Sequence, residues 1–129
     1  MVSPIKSPRV LSVDDDEDTR EMLGILLNSV GVELTSVSTA SEVLVLSQTE
    51  CFDAYLLDAW LPDLDGVELC RRLRNLNPHA VVVFYSGAAY EADRKRAREA
   101  GASAYVCKPD VDGLIEKIWE FAKRPVVTL

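Results

Sequence analysis

The residues best equipped for chemistry are carboxylates that each follow an apolar run. Asp58 closes Ala54-Tyr55-Leu56-Leu57 and opens the loop Ala59-Trp60-Leu61-Pro62-Asp63-Leu64-Asp65-Gly66. Asp14, Asp15 and Asp16 follow Val10-Leu11-Ser12-Val13. Ser86 follows the run Val81 to Tyr85, and Lys108 follows Ala104 to Cys107. Carboxylates gathered in one crevice repel each other and raise each other's pKa unless a cation sits among them. Their oxygens suit a hard cation, and Mg²⁺ is usually held by a few carboxylates with waters and phosphate oxygens. Asp14, Asp15 and Asp58 are the candidate ligands. A carboxylate can also act as a nucleophile and form an aspartyl phosphate. That reaction needs in-line placement and neutralised phosphoryl oxygens. The Lys108 ammonium and the Ser86 hydroxyl supply part of the neutralisation, and Asp58 is the candidate nucleophile. Taken singly, each group has a plain structural use. Adjacent acids after a strand cap a helix, a Lys-Pro forms a loop, and a Ser-Gly forms a turn.

These groups converge only if the chain delivers them to one edge. Arg9 to Asp14 reads as a first strand. A helix follows, about Glu17 to Val30, with Leu23, Leu26, Leu27 and Val30 on one stripe, and Gly31 ends it. Glu33 to Val37 is short and weakly alternating, as an edge strand would be. Thr39 with Glu42 has capping-box spacing, so a second helix starts there and buries Ala40, Val43 and Leu44. Ala54 to Asp58 is a third strand. Leu69, Cys70, Leu73 and Leu76 mark a third helix, stopped by Asn77-Pro78.

Ala80 to Tyr85 is apolar throughout, as expected of a strand covered on both faces. Tyr90 to Ala100 is a helix with little to bury beyond Ala92, Ala97 and Ala100. Ser103 to Cys107 is a fifth strand. Asp110 caps a last helix, about Val111 to Lys123, with Val111, Leu114, Ile115 and Ile118 on its stripe. Strands and helices alternate five times, the pattern of an α/β domain with a parallel sheet and helices on both faces. A doubly wound five-stranded sheet in the order 2-1-3-4-5 follows, flavodoxin-like, with five helices. That order brings Asp14, Asp15, Asp58, Ser86 and Lys108 around one crevice.

The bulk properties narrow the function. The chain has 129 residues, 48% hydrophobic and 27% charged, enough for one domain with a real core. A net charge of −7 argues against direct nucleic-acid binding, which needs clustered cations. No apolar run approaches the roughly 18 residues of a membrane helix. Residues 1–8 read as a flexible lead-in without a secretory signal, residues 9–123 as the domain, and 124–129 as a short tail. Cys51, Cys70 and Cys107 are odd in number and dispersed, which fits a reducing, cytoplasmic setting. Cys107 reads as a small buried strand residue. His79, the only histidine, reads as an exposed loop residue after Pro78.

Four segments resemble the receiver domain of bacterial two-component response regulators, the CheY-like family. They are Val13-Asp14-Asp15-Asp16, Leu57 to Gly66, Tyr85-Ser86-Gly87, and Gly101-Ala102-Ser103-Ala104-Tyr105-Val106-Cys107-Lys108-Pro109. The resemblance covers about Arg9 to Lys123. It implies a phosphorelay protein rather than a turnover enzyme, with self-catalysed phosphorylation and autodephosphorylation. Asp58 would accept a phosphoryl group from a sensor histidine kinase or phosphotransfer protein. Mg²⁺ would be bound directly by Asp15, mainly through water by Asp14, and by Asp58 and the Trp60 backbone carbonyl. Lys108 would pair with the phosphoryl oxygens, and the Lys108–Pro109 bond would be cis.

The resemblance also implies a switch. Ser86 would move toward the phosphoryl group and Tyr105 would turn inward. The fourth helix, fifth strand and fifth helix would then signal to a target protein or output domain, or form a homodimer. The sequence itself supports that face: a helix held mainly by alanines shifts cheaply, and Arg94, Lys95, Arg96 and Arg98 make it basic in an acidic chain. Trp119 and Phe121 fit either a partner contact or core packing.

The departures from the family pattern are few. Trp60 and Ala88 fill variable positions that tune loss of the phosphoryl group in the family, and Trp60 is expected to shield Asp58. Asp110 replaces the bulky apolar residue common after Lys-Pro. With no output domain after Lys123, the expectation is a stand-alone receiver, or a receiver from a longer regulator or hybrid kinase. A phosphohydrolase of the haloacid dehalogenase type would want a second acid where Trp60 stands. A degenerate receiver would lack one of the acids, the hydroxyl or the lysine. A DNA-binding regulator is disfavoured by the acidic charge.

Overall fold

The computed structural model describes residues 7–88 and 90–122. The expected tail 124–129 and most of the lead-in 1–8 therefore lie outside the described residues. In chain order the elements are β1 (Arg9–Val13), α1 (Glu17–Ser29), β2 (Glu33–Val37), α2 (Ala40–Thr49), β3 (Ala54–Leu57), α3 (Gly66–Leu76), β4 (Val82–Ser86), α4 (Glu91–Glu99), β5 (Ala104–Cys107) and α5 (Val111–Ala122). All strand pairs are parallel, in the order β2-β1-β3-β4-β5.

Strand alternation explains the two-sided burial. Along β1, Leu11 and Val13 face one side and Val10 the other; along β3, Tyr55 and Leu57 oppose Ala54 and Leu56. One cluster joins Leu11, Leu57 and Phe84 to α2, α3 and α4 through Val43, Leu69, Leu73 and Ala97. The other joins Val10, Leu56 and Val83 to α1 and α5 through Leu23, Leu27, Leu114 and Ile118. Each fully buried leucine or isoleucine contributes roughly 1.5–3 kcal/mol.

The helix ends follow their expected chemistry. The Asp16 carboxylate caps α1, Thr39 caps α2 and Asp65 caps α3. The Asp110 carboxylate accepts the Gly113 amide at 2.9 Å, at the start of α5. Gly31 and Gly101 take φ of 85° and 98°, a left-handed backbone that L side chains rarely adopt.

The apolar stripes are narrower than their spacing suggests. Leu26 of α1, Val30 just past its end and Leu76 at the end of α3 are exposed, because each lies at the flank or terminus of its helix. On α4 only Ala97 is buried, with Ala100 just past its end; Ala92 is exposed. That helix is therefore held by little apolar area, as its composition predicts. Trp119 and Phe121 pack, partly buried, against the α1–α5 core cluster.

Candidate functional site

Parallel strands end at a common edge, and that edge carries the polar residues. Asp14 follows β1, Asp58 follows β3, Ser86 ends β4 and Lys108 follows β5. Asp14, Asp58 and Ser86 are buried, whereas Asp15 is exposed at the mouth. Carboxylate oxygens of Asp14, Asp15 and Asp58 all lie within 4.8 Å of one another. The Lys108 ammonium donates to Asp14 Oδ2 at 2.6 Å and to Asp58 Oδ2 at 3.5 Å. The Ser86 hydroxyl donates to Asp58 Oδ1 at 3.1 Å, and the Trp60 amide donates to the same oxygen at 3.3 Å.

Local turns hold these groups in place. Asp14 Oδ1 accepts the Asp16 amide at 3.0 Å, and Arg20 donates to the Asp14 carbonyl at 2.9 Å. Asp16 in turn accepts the Thr19 amide and hydroxyl, and these bonds, the hydroxyl's foremost, hold its carboxyl below the usual range. Gly66 packs directly on the Asp58–Ala59 backbone just past β3. A Cβ there would stand 2.2 Å from the Asp58 carbonyl oxygen. The Lys108–Pro109 peptide is cis, as the resemblance implies.

The electrostatics are those of a cation-seeking pocket. Burial pushes the Asp58 carboxyl up, and the opposing pull of Lys108 and the Trp60 amide does not cancel it. Burial by itself would lower the Lys108 ammonium, but its hydrogen bond to Asp14 and the charge of Asp58 raise it overall. One ammonium pairs with Asp14 and Asp58, and the Asp15 carboxyl group lies beside them, so acidic groups outnumber the ammonium. An all-oxygen donor set with part of its rim open to solvent fits a hard divalent cation that retains waters.

Beyond Ser86 lies Tyr105. Its ring stacks on Phe84 at 5.6 Å with 9° between planes, and the Arg94 guanidinium covers it at 5.6 Å. The Tyr105 hydroxyl donates to the Ala88 carbonyl, two residues past Ser86, and burial raises the phenol. Cys107 is half-buried and accepts an Arg94 N–H at 3.0 Å. His79 is exposed, and Trp60 is 64% exposed.

Three supports were not foreseen. Arg20 braces the Asp14 backbone, and no local spacing announces it. Asp63 lies in the Pro-Asp-x-Asp-Gly motif, where it reads as a turn residue, yet its carboxylate reaches the start of α2. Arg74 donates to the carbonyls of Pro78, Ala80 and Gly101, tying α3 to the segments before β4 and β5.

A doubly wound parallel sheet with this acidic pocket at its carboxyl edge places the protein in the CheY-like α/β class. The chain belongs to the response regulator receiver domain family, whose model matches residues 10–119. It is thus a receiver domain of the kind found in two-component response regulators. It is 33% identical over 101 residues to the alkaline phosphatase synthesis transcriptional regulatory protein PhoP of Bacillus subtilis, covering 78% of this chain and 42% of PhoP. It is 35% identical over 102 residues to an uncharacterized 14.6 kDa protein of Leptolyngbya boryana, covering 78% of each.

Among solved structures, a CheY-like receiver domain protein of Methanospirillum hungatei superposes with a TM-score of 0.85 at 33% identity, covering 91% of this chain and 94% of that one. The receiver domain of the Francisella response regulator 1452 gives 0.86 at 28%, covering 92% and 98%. The chain thus spans less than half the length of PhoP. Among the described residues, no helix is long and apolar enough to cross a membrane.

Proposed function

We propose that Asp58 accepts a phosphoryl group from the phosphohistidine of a sensor kinase or phosphotransfer protein. The observation that carries this reading is one carboxylate, buried at the end of β3, meeting a hydroxyl donor at 3.1 Å and an ammonium at 3.5 Å beside two further acids. An Asp58 oxygen attacks phosphorus, the P–N bond breaks, and its electron pair stays on the imidazole. The product is an acyl phosphate. Lys108 offsets charge on the transferred oxygens, and Ser86 donates its hydroxyl to one of them. Asp14, Asp15, Asp58 and the Trp60 carbonyl would hold Mg²⁺, which when bound neutralises the charge that these acids and the phosphoryl group bring together. Attack of water on phosphorus of the acyl phosphate releases inorganic phosphate and returns the carboxylate, and no other substrate is turned over.

The switch follows the same residues. Ser86 moves to engage the phosphoryl group, Tyr105, which stacks on Phe84, follows by turning inward, and the thinly packed α4 adjusts with β5 and α5. That face would bind a target protein or output domain, or a second copy of the chain. In this reading the receiver unit spans 9–123 and works in the cytoplasm. Treatment with acetyl phosphate and Mg²⁺ tests it. The chain should gain one phosphoryl group by mass, and Asp58→Ala should gain none; labelling that survives Asp58→Ala would overturn the assignment.

A further inference from the structure

The loop 59–65 leads from Asp58 to α3, and its middle is anchored away from the pocket. Asp63 Oδ1 accepts the Ala40 amide at 3.0 Å. Asp63 Oδ2 accepts the Ser41 amide at 3.0 Å and the Ser41 hydroxyl at 2.8 Å. Ala40 and Ser41 open α2, and the first amides of a helix have no acceptor within it. The helix already has a local cap, since Thr39 Oγ1 accepts the Glu42 amide at 3.3 Å. Asp63 therefore adds a tertiary contact, spanning 23 residues, to a helix end that is capped without it. The Ala40 amide, foremost among these donors, holds the Asp63 carboxyl below the usual range, so the clamp is ionised at neutral pH.

The far end of the loop is pinned separately. Asp65 accepts the Val67 amide at 2.7 Å and an Arg96 N–H at 3.1 Å. Between Asp58 and these anchors lies Trp60, whose amide donates to Asp58 Oδ1 and whose carbonyl is the candidate backbone ligand. A backbone ligand has no side-chain rotamer to adjust, so its position is set by what holds the loop.

We propose that Asp63 is a positioning residue of the phosphoryl-transfer site: by clamping the loop to the first two amides of α2, it sets the Trp60 peptide against Asp58 and so tunes the pocket's affinity for a divalent cation. The inference rests on the reading of the pocket as a Mg²⁺-dependent phosphoacceptor.

Mg²⁺ titration followed by tryptophan emission tests it on the whole chain, with thermal melts run in parallel. The variants are Asp63→Ala, Asp63→Asn and Thr39→Ala. Asp63→Ala should weaken Mg²⁺ binding by about tenfold, the lower end for groups that orient metal ligands. Asp63→Asn keeps one oxygen acceptor, so its loss should be smaller; it also serves if the alanine variant does not fold. Thr39→Ala removes the helix's own cap and should lower the melting temperature with Mg²⁺ affinity unchanged. Wild-type affinity in Asp63→Ala, or equal weakening in Thr39→Ala, would reduce Asp63 to a helix cap. If wild type shows no saturable Mg²⁺ response and takes no label from acetyl phosphate, the reading of the pocket fails, and this proposal fails with it.

Discussion

The Lys108 ammonium lies 2.6 Å from Asp14 Oδ2, closer than to the candidate acceptor Asp58, at 3.5 Å. The shorter, charge-assisted bond goes to the more deeply buried carboxylate. Asp58 is left with the weaker offset, and its burial prevails. A raised folded pKa means that Asp58's contribution to stability is fully present below the ordinary value of 3.8 and is lost as pH rises through the folded value.

At neutral pH the ionised Asp58 is therefore a cost. Asp58→Asn should raise the urea midpoint there, because burial no longer opposes an ionised group at this position. The gain should vanish as pH falls below the ordinary aspartate value, where Asp58 is neutral folded and unfolded alike. Equal midpoints at neutral pH, or a gain that persists in acid, would count against this.

Gly66 is expected to be intolerant. The added methyl of Gly66→Ala would meet the Asp58 carbonyl oxygen at 2.2 Å and Ala59 Cα at 2.9 Å. Both are backbone atoms that cannot swing aside. The loop must move, at a cost of about 3 kcal/mol in denaturant unfolding. Displacing Asp58 by the same movement should slow acetyl phosphate labelling about tenfold, a barrier increase of about 1.4 kcal/mol. A variant as stable as wild type would show that the loop yields freely.

Trp60 presents a different case. The residue is 64% exposed while its amide touches Asp58, so any cover it gives an acyl phosphate comes from the rim of the pocket. Trp60→Asn should let water in and speed dephosphorylation, about threefold for a barrier change near 0.7 kcal/mol. Following loss of the phosphoryl group after dilution from acetyl phosphate measures it. An equal or slower rate would refute shielding.

Apolar runs and helix caps were legible locally, whereas the width of an apolar stripe was not. Val81 to Tyr85 is apolar without a break, and the structure buries it on both faces of β4. Thr39 and Asp110 cap helices as the sequence indicates, because a cap and its amide lie within three residues. The spacing of α1 marks Leu26 and Val30 as inward, but periodicity cannot say how wide an arc the neighbouring sheet will cover.

The sequence by itself determined the alternation of strands and helices, the family, and the residues Asp14, Asp15, Asp58, Ser86 and Lys108. Each is announced by its place at the end of an apolar run. Only the tertiary structure decided how they share charge: that Lys108 favours Asp14 across 94 residues, and that Asp63 reaches back to Ala40. Local pattern fixes backbone direction and burial, because those depend on near neighbours. Which donor meets which carboxylate depends on where separate strands and loops come to rest, and no local spacing encodes that.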